Sequence, residues 1–304
     1  MAEEYLKAGQ IAAQALKLAL DVTSEGAPLI DIAEKIESFI YSRGGNPAFP
    51  VNISINEVAA HYSPSVEDQH VVPRGSIVKV DLGVHVDGYI ADTAITIFFD
   101  EKFRLHVKAA LEALEEAIAI IRPGIGVNDV AKYISNKIYS YGLRPIRNLT
   151  GHKVERYNLH AGKSIPNTPG PEYFATRISE GETFAIEPFA TDGAGLVVDK
   201  GWSNIYRIIS VKKVPKQEAL NNALESIWKK YGPLPFSERW VLNKILDRSQ
   251  LDELVKLKRV YHYPRLVEQS GGFVSQFEDT VIVLKDKVIP IASTVELYRA
   301  SMQI

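Results

Sequence analysis

The sequence of 304 residues contains no cysteine. Disulfides and thiolate zinc sites are therefore excluded, and any bound metal must rest on oxygen and imidazole ligands. A dominant charge of one sign is also lacking: 35 Lys and Arg stand against 37 Asp and Glu, a net charge of −2 with a pI near 6.4. That balance carries no global footprint of binding to nucleic acid or to an anionic membrane. No apolar run is long enough to span a bilayer. The first stretch, MAEEYLKAGQIAAQALKLAL, includes Glu3 and Glu4 and is amphipathic, so it reads as a helix rather than a signal peptide. Apolar residues make up 46%, enough to core one large domain or two smaller ones. A globular cytoplasmic protein is the expectation.

What the chain does have is a hairpin carrying two acids. Val78, Val80, Leu82, Val84 and Val86 alternate with polar or small residues, the period-two signature of a half-buried strand. Asp87-Gly88 is a favoured two-residue loop because both positions tolerate positive φ. Residues 90–99 return, rich in β-branched and aromatic side chains. In this register Val86 faces Tyr89, Gly83 faces Asp92, and Asp81 points to the same side as Asp92. The two acids become diagonal neighbours with backbones about 7–8 Å apart. Unpaired anions this close in an apolar sheet repel, and burial favours their neutral forms. A cation between them resolves the conflict; one Asp turned to solvent at a bulge resolves it equally well.

Helical spacing recurs over residues 5–19 and over about 29–41, where Ile32, Ala33, Ile36, Phe39 and Ile40 face inward and Gly44-Gly45 stops the helix. Residues 46–58 read as a Pro-containing connection leading to His61. Further helices are expected over 101–121, ended by Pro123-Gly124, and over 128–141, ended by Gly142. Helix, helix, strands thus occurs twice, which predicts a two-lobed α+β fold with related halves. Residues 146–150 and 183–190 read as strands, the second holding Glu187, kept extended by Pro188. Composition changes near Val197. The block 197–266 reads as a strand, helices at 217–231, 238–246 (capped by Ser237) and 251–257, and a returning strand, with His262 its one candidate imidazole. It is expected to form an inserted helical, winged-helix-like subdomain within a discontinuous catalytic domain, 1–196 and 267–304. Its Lys and Arg are interspersed with Glu and Asp, so a solvated surface is expected rather than specific nucleic-acid contact.

Glu187 and Glu278 add two more acids in or beside apolar strands. A lone strand glutamate is ordinarily an edge residue facing water. Four such acids are harder to place without a partner, because an unpaired buried carboxylate is costly. His61, His152 and His160 lie in loop-like or strand-end contexts.

The segments Val80-Asp81-Leu82-Gly83, Ile90-Ala91-Asp92-Thr93-Ala94, Gly151-His152, Ala185-Ile186-Glu187-Pro188-Phe189 and Gln276-Phe277-Glu278-Asp279-Thr280 resemble the metal-ligand segments of methionine aminopeptidases in order and spacing. Ala59-Ala60-His61-Tyr62 and Asn158-Leu159-His160-Ala161-Gly162 are similar to that family's accessory histidine segments. The resemblance spans essentially the whole chain, and the insertion between Glu187 and Glu278 is similar to that of the type II branch. The long charged N-terminal extension of eukaryotic type II members is absent, and any ribosome docking tied to it does not carry over.

The resemblance implies a pita-bread fold with pseudo-symmetric halves and two divalent ions in its central cleft, Co(II), Mn(II), Fe(II) or Zn(II). Asp81 would bind one ion, Asp92 and Glu278 would bridge both, and His152 and Glu187 would complete the other. A water activated by the ions would attack the first peptide bond, with Glu187 moving its proton to the leaving amine. His160 would hydrogen-bond the scissile carbonyl oxygen, and His61 would contact the substrate amide. Phe49, Leu159, Phe189 and Tyr263 would wall an apolar pocket for methionine, plain core packing being the alternative for each. The implied activity is removal of the N-terminal methionine from new proteins with a small second residue, by a monomer, with the ribosome as a partner left open. The chain itself begins Met1-Ala2, a sequence such an enzyme trims. Two other readings stay open: a prolidase or other peptidase of the same fold, and a non-catalytic relative that binds protein or RNA.

Overall fold

A computed structural model describes residues 2–302. The helix-helix-sheet unit occurs twice. Helices α1 (Ala2–Val22) and α2 (Leu29–Ser42) lead into β1 (Asn46–Ile55), β2 (Val58–Ala60) and the hairpin of β3 (Ile77–Val86) and β4 (Tyr89–Phe98). Helices α3 (Arg104–Ile120) and α4 (Val127–Ser140) lead into β5 (Arg144–Pro145), β6 (Thr150–Val154), β7 (Ser164–Pro166), β8 (Thr183–Ile186) and β9 (Phe189–Thr191). Next come β10 (Val197–Ile208), α5 (Glu218–Tyr231), β11 (Phe236–Ser237), α6 (Glu238–Val241), α7 (Arg248–Lys256) and β12 (Val260–Glu268). Strands β13 (Val274–Gln276), β14 (Asp279–Val283) and β15 (Val288–Pro290) and helix α8 (Thr294–Met302) follow.

The apolar stripes of the helices cover the sheets. Tyr5, Ala8, Ile11, Ala12, Ala15, Leu16 and Ala19 of α1 are buried against β3 and β4, and Ile32, Ala33, Ile36 and Ile40 of α2 against β1. The small residues of α1 allow close approach. A Cβ on Gly9 would lie 2.2 Å from the Ile291 carbonyl oxygen, so no larger residue fits there. In the second half α3 packs on β9 and β13, and α4 on β5 and β7.

The halves join where β4 runs beside residues 276–280. Ala94 and Glu278 exchange backbone hydrogen bonds of 3.3 and 3.0 Å. On both sides of that bridge, threonine hydroxyls replace the backbone ladder. Thr280 Oγ1 accepts from the Asp92 amide at 2.8 Å and donates to the Asp92 carbonyl at 2.9 Å. Thr96 Oγ1 accepts from the Gln276 amide at 2.9 Å and donates to its carbonyl at 2.6 Å. Thr93 Oγ1 donates to the Glu278 carbonyl at 2.9 Å. This seam fixes the backbone of two of the four acids, one from each half.

Several elements differ from the sequence expectation. Of the stretch 46–58 expected as a connection, residues 46–55 form the ten-residue strand β1; its register against β3 shifts around Pro47, Phe49 and Asn52, which accommodates the two prolines. Residues 183–190 are two strands in different sheets, broken at Glu187-Pro188, because Pro188 has no N–H to continue the ladder. Helix α6 stops at Val241 rather than 246. Asn243 adopts φ 58°, and the amides of Ile245 and Leu246 fold back to the Val241 carbonyl. Helix α7 starts at Arg248, earlier than expected, behind an Asp247–Gln250 capping box. Short β11 adds a strand to the 197–266 block, and β10 and β12 pair with each other, β12 also with β2 of the first half. Inside the block, Tyr206, Ile208, Leu220, Leu224, Phe236, Leu251, Leu254 and Val260 belong to a hydrophobic cluster of its own. Arg239 donates to Glu37 of α2 at 3.0 and 2.8 Å, and both are buried, which clamps the block to the first half.

The threonine seam is testable. Thr280→Val keeps the shape but leaves the buried Asp92 amide and carbonyl without that partner, a loss of about 1–3 kcal/mol. The denaturant midpoint is expected to fall accordingly; an unchanged midpoint would show that the hydroxyl does not hold the halves.

Candidate active site

The site begins at the hairpin. Asp87 and Gly88 both take positive φ, 50° and 87°, as the tight turn requires. The register runs unbroken from Val86↔Tyr89 through Gly83↔Asp92 to Asp81↔Ala94. No bulge turns either acid to solvent: Asp92 is 4% exposed, and Asp81 Oδ1 is buried.

Strand β6 brings in His152 and the β8–β9 break brings in Glu187. His152 Nε2 lies 3.6 Å from Asp92 Oδ2 and 3.5 Å from Glu187 Oε1. One ligand atom each from Asp92, His152 and Glu278 falls within 4.8 Å of the others. Asp81 Oδ1, Asp92 Oδ1 and Glu278 Oε1 are buried without a hydrogen-bond partner. Orphaned carboxylate oxygens converging beside a ring nitrogen are the donor set that a hard or borderline divalent cation takes.

One cavity of about 230 Å³ holds this cluster. All eleven residues singled out in the sequence line it: Asp81, Asp92, His152, Glu187 and Glu278, His61 and His160, and Phe49, Leu159, Phe189 and Tyr263. His160 packs against His152 with ring centroids 4.2 Å apart, and His61 stands edge-on to Tyr263 at 5.6 Å. His61 is held at φ 64°, a left-handed conformation that few side chains adopt and that sites commonly preserve at some cost.

Sequence reasoning missed several members. Gln276 donates its amide to Glu278 Oε2 at 3.2 Å and to Glu187 Oε2 at 3.5 Å, linking the two glutamates. Its position two residues before Glu278 was an available signal. Asn52, Asn148, Leu149 and Thr150 also line the cavity, as do Ile205, Pro235 and Leu266 from the 197–266 block and its edge. No local pattern marks these; Ile205 and Leu266 reach the cavity only because β10 and β12 pack beside it.

Electrostatics follow from burial. Burial pushes the Asp81 carboxyl up to about 7. It drives Asp92, Glu187 and Glu278 well above the ordinary range, and their mutual repulsion adds to it. Burial, with the neighbouring His160 contributing, pushes His152 down to about 3 and His61 to about 4. Neutral His152 therefore makes no ion pair with Asp92 or Glu187 despite the short distances. An unprotonated imidazole among acids is the form that binds metal.

Converging carboxylates around a neutral imidazole, at the base of a cavity between two related lobes, define a metal-dependent hydrolase. Residues 3–285 match Metallopeptidase family M24, and the chain belongs to this family. Methionine aminopeptidase of Pyrococcus horikoshii is 45% identical over 291 residues, spanning 94% of this chain and 97% of that protein. Its counterpart in Thermococcus kodakarensis is 47% identical over 288 residues, spanning 93% and 97%. Among solved structures, methionine aminopeptidase of Thermotoga maritima aligns with a TM-score of 0.69 at 24% identity over 95% of each chain. A prolidase of Pyrococcus furiosus aligns at 0.62 and 19% identity over 96% of this chain and 64% of that one. A thermophilic Arx1 aligns at 0.82 and 17% identity over 95% and 90%. These structural likenesses establish the shared pita-bread fold.

Metal removal gives a pH prediction with a definite sign. A carboxyl whose folded pKa is raised binds its proton more tightly when folded, so it favours folding at low pH and opposes it as pH rises past the unfolded value of about 4. In chelator-treated protein, Asp92→Asn removes one raised carboxyl and relieves the repulsion on the others. Its melting temperature relative to the parent is expected to climb between pH of about 4 and about 7, read by calorimetry. A difference that stays constant or shrinks over that window would contradict these shifts.

Proposed function

We propose that the chain is a methionine aminopeptidase of the type II branch, removing the N-terminal methionine from newly made polypeptides in a metal-dependent reaction. The observation that carries this reading is one small cavity lined both by the acid cluster and by the apolar side chains of Phe49, Leu159, Phe189 and Tyr263. That arrangement matches a substrate with a cationic free amine beside an apolar side chain. The high identity to the archaeal methionine aminopeptidases supports the same substrate. The prolidase reading has fold-level likeness alone behind it, and a non-catalytic reading does not explain why the whole donor set is kept.

The orphaned oxygens of Asp81, Asp92 and Glu278 support metal binding by these residues with His152 Nε2 and Glu187. Four carboxylates balance the charge of two divalent ions, which is why we read two rather than one. Bound divalent ions would acidify a water and polarise the scissile carbonyl. Glu187, hydrogen-bonded by Gln276, would accept the proton of the attacking water and deliver it to the leaving amine. His160 is placed to donate to the carbonyl oxygen as charge develops there. His61, fixed by its left-handed backbone and by Tyr263, would contact the substrate amide. The limited volume favours a small second residue.

The 197–266 block is read as an inserted subdomain, supported by its separate hydrophobic cluster. Its contribution to the site is wall: Ile205, Pro235 and Tyr263 line the cavity that holds the acid cluster. No helix among the described residues is long and apolar enough to cross a membrane. The same reading takes the protein as a cytoplasmic monomer meeting new chains on or off the ribosome.

Metal-stripped protein supplied with Mn(II), Fe(II), Co(II) or Zn(II) is expected to release methionine from Met-Ala-Ser and to leave Ala-Pro peptides intact. Glu187→Ala and His160→Ala are each expected to lower kcat by about 100-fold or more. Folded protein with no release under any of the four metals would overturn the proposal.

A further inference from the structure

One guanidinium of the 197–266 block, that of Arg207, stands apart from the others among the described residues. On β10, Tyr206 and Ile208 face the cluster inside the 197–266 block, so Ile205 and Arg207 project from the opposite face. Exposure rises along that face. Ile205 is 4% exposed and lines the cavity, Arg207 is half-buried, and Ile209, just past the strand, is 48% exposed. The antiparallel partner repeats the gradient: Tyr263 lines the cavity half-buried, and Tyr261 is 42% exposed, the two rings edge-on at 4.9 Å. Arg207 pairs directly with Tyr261. The two residues form the rung outside the cavity wall, at its rim.

The other arginines of the 197–266 block are all engaged. Arg239 is bidentate to Glu37, Arg248 donates to Glu238, Arg259 to the Lys212 carbonyl and Arg265 to the Lys200 carbonyl. Arg207 has no hydrogen-bond or ion-pair partner among the described residues, and its Nε is buried without an acceptor. Its charge reaches Tyr263 in the cavity lining, where it opposes the effect of burial on the phenol. A half-desolvated, unpaired guanidinium is costly to keep unless an acceptor arrives, and its planar fork matches a carboxylate.

We propose that Arg207 is a specificity residue of the aminopeptidase proposed above, binding a carboxylate that the substrate carries on the side chain of its third or fourth residue. Two residues along β10 from Ile205 advance about 7 Å outward. An extended peptide advances about 3.3–3.6 Å per residue, so the side chains that reach this rung lie two or so residues beyond the scissile bond. The resulting site is dipolar: an acid cluster at the base meets the free amine, and a cation at the rim meets a downstream acid.

The test uses metal-loaded protein and amidated peptides, Met-Ala-Asp-Gly against Met-Ala-Asn-Gly, the same pair with the acid one position later, and free-acid against amidated Met-Ala-Ser. The expected parent ratio of kcat/KM, acidic over neutral, is about tenfold at low salt and shrinks as salt is added. Arg207→Gln is expected to bring that ratio to about one, Arg207→Lys to retain part of it, and Arg207→Glu to reverse it in favour of Lys at the same position. A parent ratio near one, or a ratio unchanged in Arg207→Gln, overturns the proposal, as does an equal loss on every peptide. An Arg207-dependent preference for the free-acid tripeptide without a side-chain preference overturns it too, and assigns the contact to a terminal carboxylate. If the parent cleaves not even the neutral peptides, the aminopeptidase reading fails on its own. Calorimetric binding of the acidic and neutral peptides to the parent and to Arg207→Gln then decides the role of Arg207.

Discussion

Four buried carboxyl groups can share one cavity as anions only if a cation shares it with them. Asp81 and Asp92 come from one hairpin, Glu187 from the break between β8 and β9, and Glu278 from the segment beside β4. Left to themselves they repel, and burial forces protons onto them. Something must therefore hold their backbones together against that repulsion. The hydroxyls of Thr93, Thr96 and Thr280 do so for Asp92 and Glu278, bonding across the junction of the two halves to those residues or to one that flanks them. The two-lobed fold thus has its site at its seam because the seam is where opposed acids can be fixed in register.

Different parts of this were legible in the sequence to different degrees. The hairpin could be read to the residue because Asp87-Gly88 fixes both turn type and register. The paired helices and the α+β division followed from apolar spacing. The lining residues came mostly from the resemblance of short segments to one family; spacing alone left the Asp pair undecided between a cation and a bulge. Strand β1 was hidden by Pro47 and Pro50, which suggest a connection but are absorbed by register shifts. The end of α6 depends on the left-handed Asn243, which local propensity does not foretell. The threonine seam joins residues 180 or more positions apart, and nothing in a linear pattern announces it. Gln276 was the avoidable omission, since period two places it on the same side as Glu278.

The 197–266 block changes character once its strands are placed. Its helices bury their apolar faces in a cluster of their own, while the outer face of β10 and β12 is given over to the cavity. Arg239, paired with Glu37, ties the block to α2 of the first half, and β1 of that half supplies Phe49 to the same cavity. The block therefore supplies part of the cavity lining, and its unpaired Arg207 lies in register with Tyr261, two residues along the sheet from Ile205 and Tyr263.

The most direct measurement of the central claim is anomalous diffraction from crystals of the protein loaded with Mn(II). The account predicts density for metal between the two halves, within about 2.0–2.3 Å of oxygens from Asp81, Asp92, Glu187 and Glu278 and of His152 Nε2. Metal bound elsewhere, or no peak among these side chains under conditions that support activity, would contradict it.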